Sequence, residues 1–170
     1  VRLWLPLAAF VLLIAIVAAG LFRPAPREVR SALVGKPLPA LVLPASVAGH
    51  PGVRTGGAGS ARLVNVFASW CVPCAAEAPQ LMALRRAGVR IEGVAVRDAP
   101  ADTRAFLARH GDPFAAIGDD REARFQLSLG SSGVPETFVV DGQGRIAMQH
   151  IGPIMDADVP AILAALGRAG

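Results

Sequence analysis

The stretch Ser69-Trp70-Cys71-Val72-Pro73-Cys74-Ala75-Ala76-Glu77 constrains this chain more than any other. It holds both cysteines, spaced C-x-x-C, after the apolar run 63–68 and ahead of a helix-forming Ala, Leu, Gln and Met segment. A buried strand that runs into C-x-x-C and turns into a helix sets the first sulfur at the helix N-terminus. There, unpaired N–H groups and the positive end of the macrodipole favour a thiolate over a thiol. The second sulfur lies one turn in, close enough to close the bond and release a substrate. Pro73 restricts the turn and holds the sulfurs at bonding separation. The implied chemistry is dithiol/disulfide exchange, with Cys71 attacking beside Trp70, which leaves one side open, and Cys74 resolving.

A C-x-x-C is also half of a zinc site. Zinc needs two more Cys or His ligands at comparable spacing. The chain has no third cysteine, and His50, His110 and His150 are scattered singly. Two inert core cysteines would leave Pro73 and the preceding strand unexplained.

Charge is unevenly spread. Residues 1–30 carry Arg2, Arg23, Arg27 and Arg30 against Glu28, while the remaining 140 residues hold 13 basic and 12 acidic side chains. The folded part has no basic excess of the kind nucleic acid requires. Residues 3–22 are 20 uncharged positions bracketed by Arg2 and Arg23, with Trp4 at an interfacial place, which is enough to cross a bilayer. Val17-Ala18-Ala19 before Gly20 would serve as a signal-peptide cleavage site, but the apolar core exceeds the usual length of about 7–15 residues. The expectation is a transmembrane anchor over 1–22, a proline-extended tether over 23–32 and a folded domain over 33–170. Arg23, Arg27 and Arg30 outnumber Arg2, so charge bias alone puts the C-terminal side in the cytoplasm.

Along the domain, residues 40–43 after Pro37 and Pro39 predict an edge strand. Residues 48–60 predict a mobile loop, and Gly56-Gly57-Ala58-Gly59 within it lacks the Gly-Lys-Ser/Thr ending of a phosphate cradle. A helix over 75–87 carries Pro79 as a kink. A strand follows over 89–96, then a helix over 102–110 capped by Asp102. A brief strand over 114–117 leads to a short helix over 119–127. Residues 137–141 and 145–150 flank Gly142-Gln143-Gly144 as a hairpin, and 159–166 form a closing amphipathic helix. The sum is an α/β fold, a mixed sheet with helices on both faces.

These residues carry a resemblance. Trp70-Cys71-Val72-Pro73-Cys74, with Pro79 five positions beyond, resembles thioredoxin. Gly133-Val134-Pro135-Glu136-Thr137-Phe138-Val139-Val140-Asp141 resembles the G-x-P-E-T-F-x-x-D signature of the membrane-anchored cytochrome c maturation thioredoxins, the CcmG/DsbE family within the TlpA/ResA group. Gly35-Lys36-Pro37-x-Pro39, Gly111-Asp112-Pro113-Phe114 and His150-Ile151-Gly152-Pro153-Ile154 are similar to further motifs of that family. Two departures are Ser131-Ser132, where a Val-Tyr pair is common, and the long Gly-rich segment 48–60.

The resemblance implies a thioredoxin-like fold on an inner-membrane anchor, with the domain in the periplasm, against the charge bias. It implies a reductant of the C-x-x-C-H disulfide of apocytochrome c, recharged by a membrane thiol reductase of the DsbD/CcdA type and acting beside the haem-ligation machinery. No cofactor beyond the Cys71–Cys74 disulfide is implied. Val134–Pro135 matches the thioredoxin cis-proline, which would expose the Val134 backbone to an extended substrate. Glu77, one turn past Cys74, is the acid this family keeps there, since Asn65 occupies thioredoxin's buried-Asp position and cannot titrate. A buried carboxylate at Glu77 would raise the thiol pKa values and relay the Cys74 proton; the ordinary alternative is a solvated helix acid. Glu136 reads either as a substrate discriminator or as a solvated strand-end acid. Competing functions are a broader TlpA/ResA-like reductase, a copper-binding metallochaperone, and a docking subunit without turnover.

Overall fold

A computed structural model describes residues 4–21, 32–131 and 133–170. The tether over 23–32 and the Ser132 departure lie almost wholly outside these residues. The chain divides into two units, Val1–Arg30 and Ser31–Gly170. In the first, α1 (Trp4–Leu21) is an uncharged helix of 18 residues. Its described side chains from Leu7 to Ile14 include six exposed large apolar groups. At a rise of 1.5 Å per residue α1 spans about 27 Å, just under the hydrocarbon thickness of about 30 Å. Among the described residues, no helix is long and apolar enough to cross a membrane.

The second unit continues with β1 (Val42–Leu43), β2 (Val53–Arg54), β3 (Arg62–Phe67), α2 (Val72–Arg86), β4 (Ile91–Val96) and α3 (Pro100–His110). It closes with β5 (Ala116–Asp120), α4 (Arg124–Ser128), β6 (Glu136–Val140), β7 (Ile146–Ile151) and α5 (Val159–Ala169). Every residue of β3 and β4 is buried, as expected of central strands covered on both faces. The five-stranded sheet runs β5-β4-β3-β6-β7, with β3, β4 and β5 parallel and β6 pairing antiparallel with both β3 and β7. Side-chain alternation divides the core in two. Leu63 and Phe67 join Leu81 of α2, Phe106 of α3 and Ile162 of α5 on one face. Val64 and Val66 join Phe125 and Leu129 around α4 on the other. The α/β expectation with helices on both faces holds.

Several local expectations are corrected. Residues 48–60 contain β2, which pairs with β1, and buried Thr55 donates its hydroxyl to the Pro39 carbonyl at 2.5 Å. The glycines serve close backbone approach: a Cβ on Gly144 would come within 2.5 Å of the Gly57 carbonyl oxygen. Residues 40–43 lie beside the sheet rather than in it. Asp119 donates its N–H to the Pro44 carbonyl, so this segment covers the β5 edge. α3 begins at Pro100 with Ala99 as its cap, which leaves Asp102 in the first turn. The helix expected over 119–127 starts only at Arg124, because β5 keeps pairing with β4 as far as Asp120. α2 starts at Val72, three residues ahead of the expected bound, and contains Pro79 as expected.

Candidate functional site

The buried β3 ends at Phe67, and Ser69 and Trp70 turn the chain into α2. Asp98, two residues beyond β4, fixes this turn: Ser69 donates its N–H and its hydroxyl to the two Asp98 carboxylate oxygens, both at 2.7 Å. The Trp70 indole N–H donates to the Arg97 carbonyl at 3.3 Å, and Arg97 is held at φ 49°. Cys71 then becomes the N-cap of α2, with Pro73 in the first turn. Its sulfur accepts the Cys74 N–H at 3.2 Å and is disulfide-bonded to Cys74, the Cα atoms 5.3 Å apart. Cys71 is 4% exposed in this oxidised state, while the neighbouring Trp70 and Val72 are 60% and 80% exposed. The open surface beside the disulfide is therefore apolar.

Glu77 is fully buried, not a solvated helix acid. Its Oε1 accepts from Asn65 Nδ2 at 2.9 Å, and its Oε2 accepts the Ile154 N–H at 3.0 Å. Asn65 also donates to the Thr137 hydroxyl at 2.9 Å. Desolvation by burial pushes the Glu77 carboxyl up to about 7, against the opposing pull of the Ile154 and Asn65 hydrogen bonds. Cys74 and Glu77 line one small void of about 10 Å³ walled by Phe67, Phe106 and Phe114, room for about one water. A carboxyl that titrates near neutrality thus sits behind the inner sulfur.

The Val134–Pro135 peptide is cis. Val66 pairs with Glu136, which puts Pro135 at the sheet end where β3 delivers the disulfide. Val134 packs against the core cluster that contains Cys71 and Cys74. Glu136 is 2% exposed and accepts a hydrogen bond from Gln149 Nε2. The reading of Glu136 as a solvated strand-end acid is overturned: the β6–β7 pairing buries it.

Residues 33–166 match the redoxin family. The chain belongs to that family. It is 41% identical over 135 residues to the thiol:disulfide interchange protein HelX of Rhodobacter capsulatus, covering 77% of this chain and 75% of that one. It is 36% identical over 163 residues to the DsbE homolog of Paracoccus denitrificans, covering 91% and 86%. A thioredoxin-family thiol:disulfide interchange protein of Chlorobium tepidum superposes with a TM-score of 0.62 at 26% identity, covering 77% of this chain and 96% of that structure. This redoxin is a DsbE-type thiol:disulfide interchange protein with a thioredoxin-like fold.

In this redoxin the structure brings together Trp70, Cys71, Cys74, Glu77 and Val134, and sets Pro135 and Glu136 at the same sheet end. Among the described residues, no group of three His, Cys, Asp or Glu side chains is placed to hold a metal ion. The sequence does not single out Asp98, Thr137 or Ile154 as partners of the site. The signal for Asp98 was available only as a pairing: parallel β3 and β4 put Phe67 beside Ala95, so the residues following each strand must meet. Asp98→Ala is expected to lower stability by about 2–3 kcal/mol, since two charge-assisted bonds to Ser69 are lost. Guanidinium unfolding of the oxidised protein measures it, and an unchanged midpoint would refute the assignment.

Proposed function

We propose that this chain reduces the C-x-x-C-H disulfide of apocytochrome c before haem attachment. It would act from a periplasmic domain over 33–170, on a tether over 23–32 and an inner-membrane anchor over 1–22. The observation that carries the reading is the Cys71 sulfur at the α2 N-cap, with exposed Trp70 and Val72 beside it and a cis Val134–Pro135 at the same sheet end. Similarity to the thiol:disulfide interchange protein HelX over 77% of the chain supports the exchange chemistry, and the exposed apolar surface of α1 supports the anchor.

The reaction starts from the dithiol. The Cys71 thiolate attacks one sulfur of the substrate disulfide, and the other substrate sulfur leaves as a thiolate that takes a proton. Glu77 accepts the Cys74 proton across the shared void. The Cys74 thiolate then attacks the Cys71 sulfur, the intramolecular disulfide closes, and the second substrate thiol is released. The substrate gains two electrons and this chain loses them. A membrane thiol reductase of the DsbD/CcdA type would restore the dithiol. Pro135 and the Val134 backbone would line the bound segment, with Trp70 as an apolar contact and Glu136 shaping that end of the groove.

Cys74→Ser leaves the first step intact and blocks the second. Cells expressing it are expected to accumulate a mixed disulfide between Cys71 and apocytochrome c, identified after thiol quenching by mass spectrometry. Capture of copper-site assembly proteins instead would favour the broader TlpA/ResA-like reductase.

A further inference from the structure

We propose that His150 is a positioning residue that sets the proton affinity of the Glu77 carboxyl through a single peptide unit. His150 Nε2 lies 3.3 Å from the Pro153 carbonyl oxygen. A carbonyl can only accept, so Nε2 carries the hydrogen and donates it. The N–H of that same peptide unit belongs to Ile154, and it donates to Glu77 Oε2 at 3.0 Å. One amide group therefore accepts from His150 at its oxygen and donates to Glu77 at its nitrogen. Bonding at the carbonyl polarises the amide and strengthens its N–H as a donor, an effect enlarged in a dry interior.

The sheet register explains why these groups meet. Asn65 pairs with Thr137, and Thr137 pairs with His150, so the three lie in one row across β3, β6 and β7 on the face that α2 covers. Asn65 holds one Glu77 oxygen from inside the row. His150, at the outer strand, reaches the other through the loop that follows it.

Few ionisable groups surround this chain of contacts. Asp158, ahead of α5, places Oδ2 3.8 Å from His150 Nε2 and also accepts the Met155 N–H. Asp156 on the same loop is engaged by Gln80 of α2. β3 and β6 contribute the neutral Asn65 and Thr137, and α2 contributes Cys74, which cannot titrate while the disulfide is closed. The Ile154 hydrogen bond lowers the Glu77 pKa against burial. Weakening that bond must therefore raise it.

The catalytic consequence rests on Glu77 as the acceptor of the Cys74 proton, but the coupling itself is measured without catalysis. The probe is the side-chain carboxyl signal of Glu77 in the ¹³C-labelled, oxidised full chain, followed by NMR against pH. His150→Leu is expected to raise the Glu77 midpoint by about half a pH unit. His150→Gln, which keeps a donor at the same reach, is expected to hold it within about 0.2 of the wild type. A midpoint unmoved in His150→Leu, or moved equally in both variants, overturns the proposal. A fold defect in the variants leaves a wild-type readout: the ring ¹⁵N shifts of His150 must show Nε2 as the hydrogen-bearing nitrogen, and an Nε2 without its hydrogen overturns the proposal too. Failure of the Glu77 reading would look different, as a Glu77→Gln pH–rate profile matching the wild type while the His150 coupling persists.

Discussion

Exchange by the Cys71→Ala protein is expected to fall by about a thousandfold or more, to the rate of the uncatalysed reductant. The remaining thiol cannot take over. Cys71 is the N-cap of α2, where its sulfur accepts the Cys74 N–H and faces the positive end of the helix. Cys74 lies inside the first turn, 2% exposed, beside a buried carboxyl whose charge opposes a second anion. Its sulfur is therefore covered until the mixed disulfide forms. Reduction of a model disulfide peptide, with the dithiol regenerated chemically, measures the loss. A Cys71→Ala protein that keeps a tenth of the wild-type rate would make Cys74 the nucleophile. If that inactive variant still supported cytochrome assembly in a deletion strain, the chain would be a docking subunit and not a reductant.

The sequence is most readable where the determinants are adjacent in the chain. The apolar run, the C-x-x-C and Pro73 fall within a dozen residues, so the strand–turn–helix and the roles of its sulfurs could be written down directly. Helical spacing is local, so it also puts Glu77 beside the pair. Its partners were not legible. Asn65 meets Thr137 across 72 residues and Ile154 meets Glu77 across 77. Only the order β4-β3-β6-β7 brings them together.

The misread elements share a cause. Asp119 and Asp120 look like the cap of a helix that follows at once. Strand pairing carries the chain through both, and Asp120 then caps α4 from a distance, accepting the Phe125 and Gln126 N–H groups at 3.1 and 3.0 Å. Of the two readings of Glu136, the solvated strand-end acid rests on the usual exposure of acids, yet Gln149 on the neighbouring strand receives it in the interior. In each case tertiary pairing outweighed a local preference. The Gly-rich segment is illegible for the opposite reason: its glycines permit close packing against residues 142–144, and packing of that kind leaves no periodic trace.

Removing the buried acid should alter the pH dependence of stability as well as the rate. Burial raises the folded Glu77 carboxyl to about 7, from the 4.5 of an exposed glutamate. Between those values the native protein holds a proton that the unfolded chain has released. Stability therefore falls as pH rises through this window, and the raised pKa corresponds to about 3 kcal/mol lost by pH 8. Glu77→Gln removes that slope. The new amide presents one donor where two donors now converge, but Asn65 Oδ1 is buried without a partner and can accept it if the Asn65 amide reverses. Any hydrogen bond lost in this exchange is an offset common to all pH values. The expected result is a stability difference between Glu77→Gln and wild type that moves by about 3 kcal/mol in favour of the variant from pH 4 to pH 8, read from guanidinium unfolding of the oxidised proteins. Equal pH slopes in the two proteins would mean that Glu77 is not held protonated by burial. The kinetic counterpart has the opposite sign. In the wild type, release of substrate from the mixed disulfide should accelerate through pH 7 as Glu77 becomes a base. In Glu77→Gln that rise should be absent and release at pH 8 slower by about 10- to 100-fold, since only solvent remains to take the Cys74 proton.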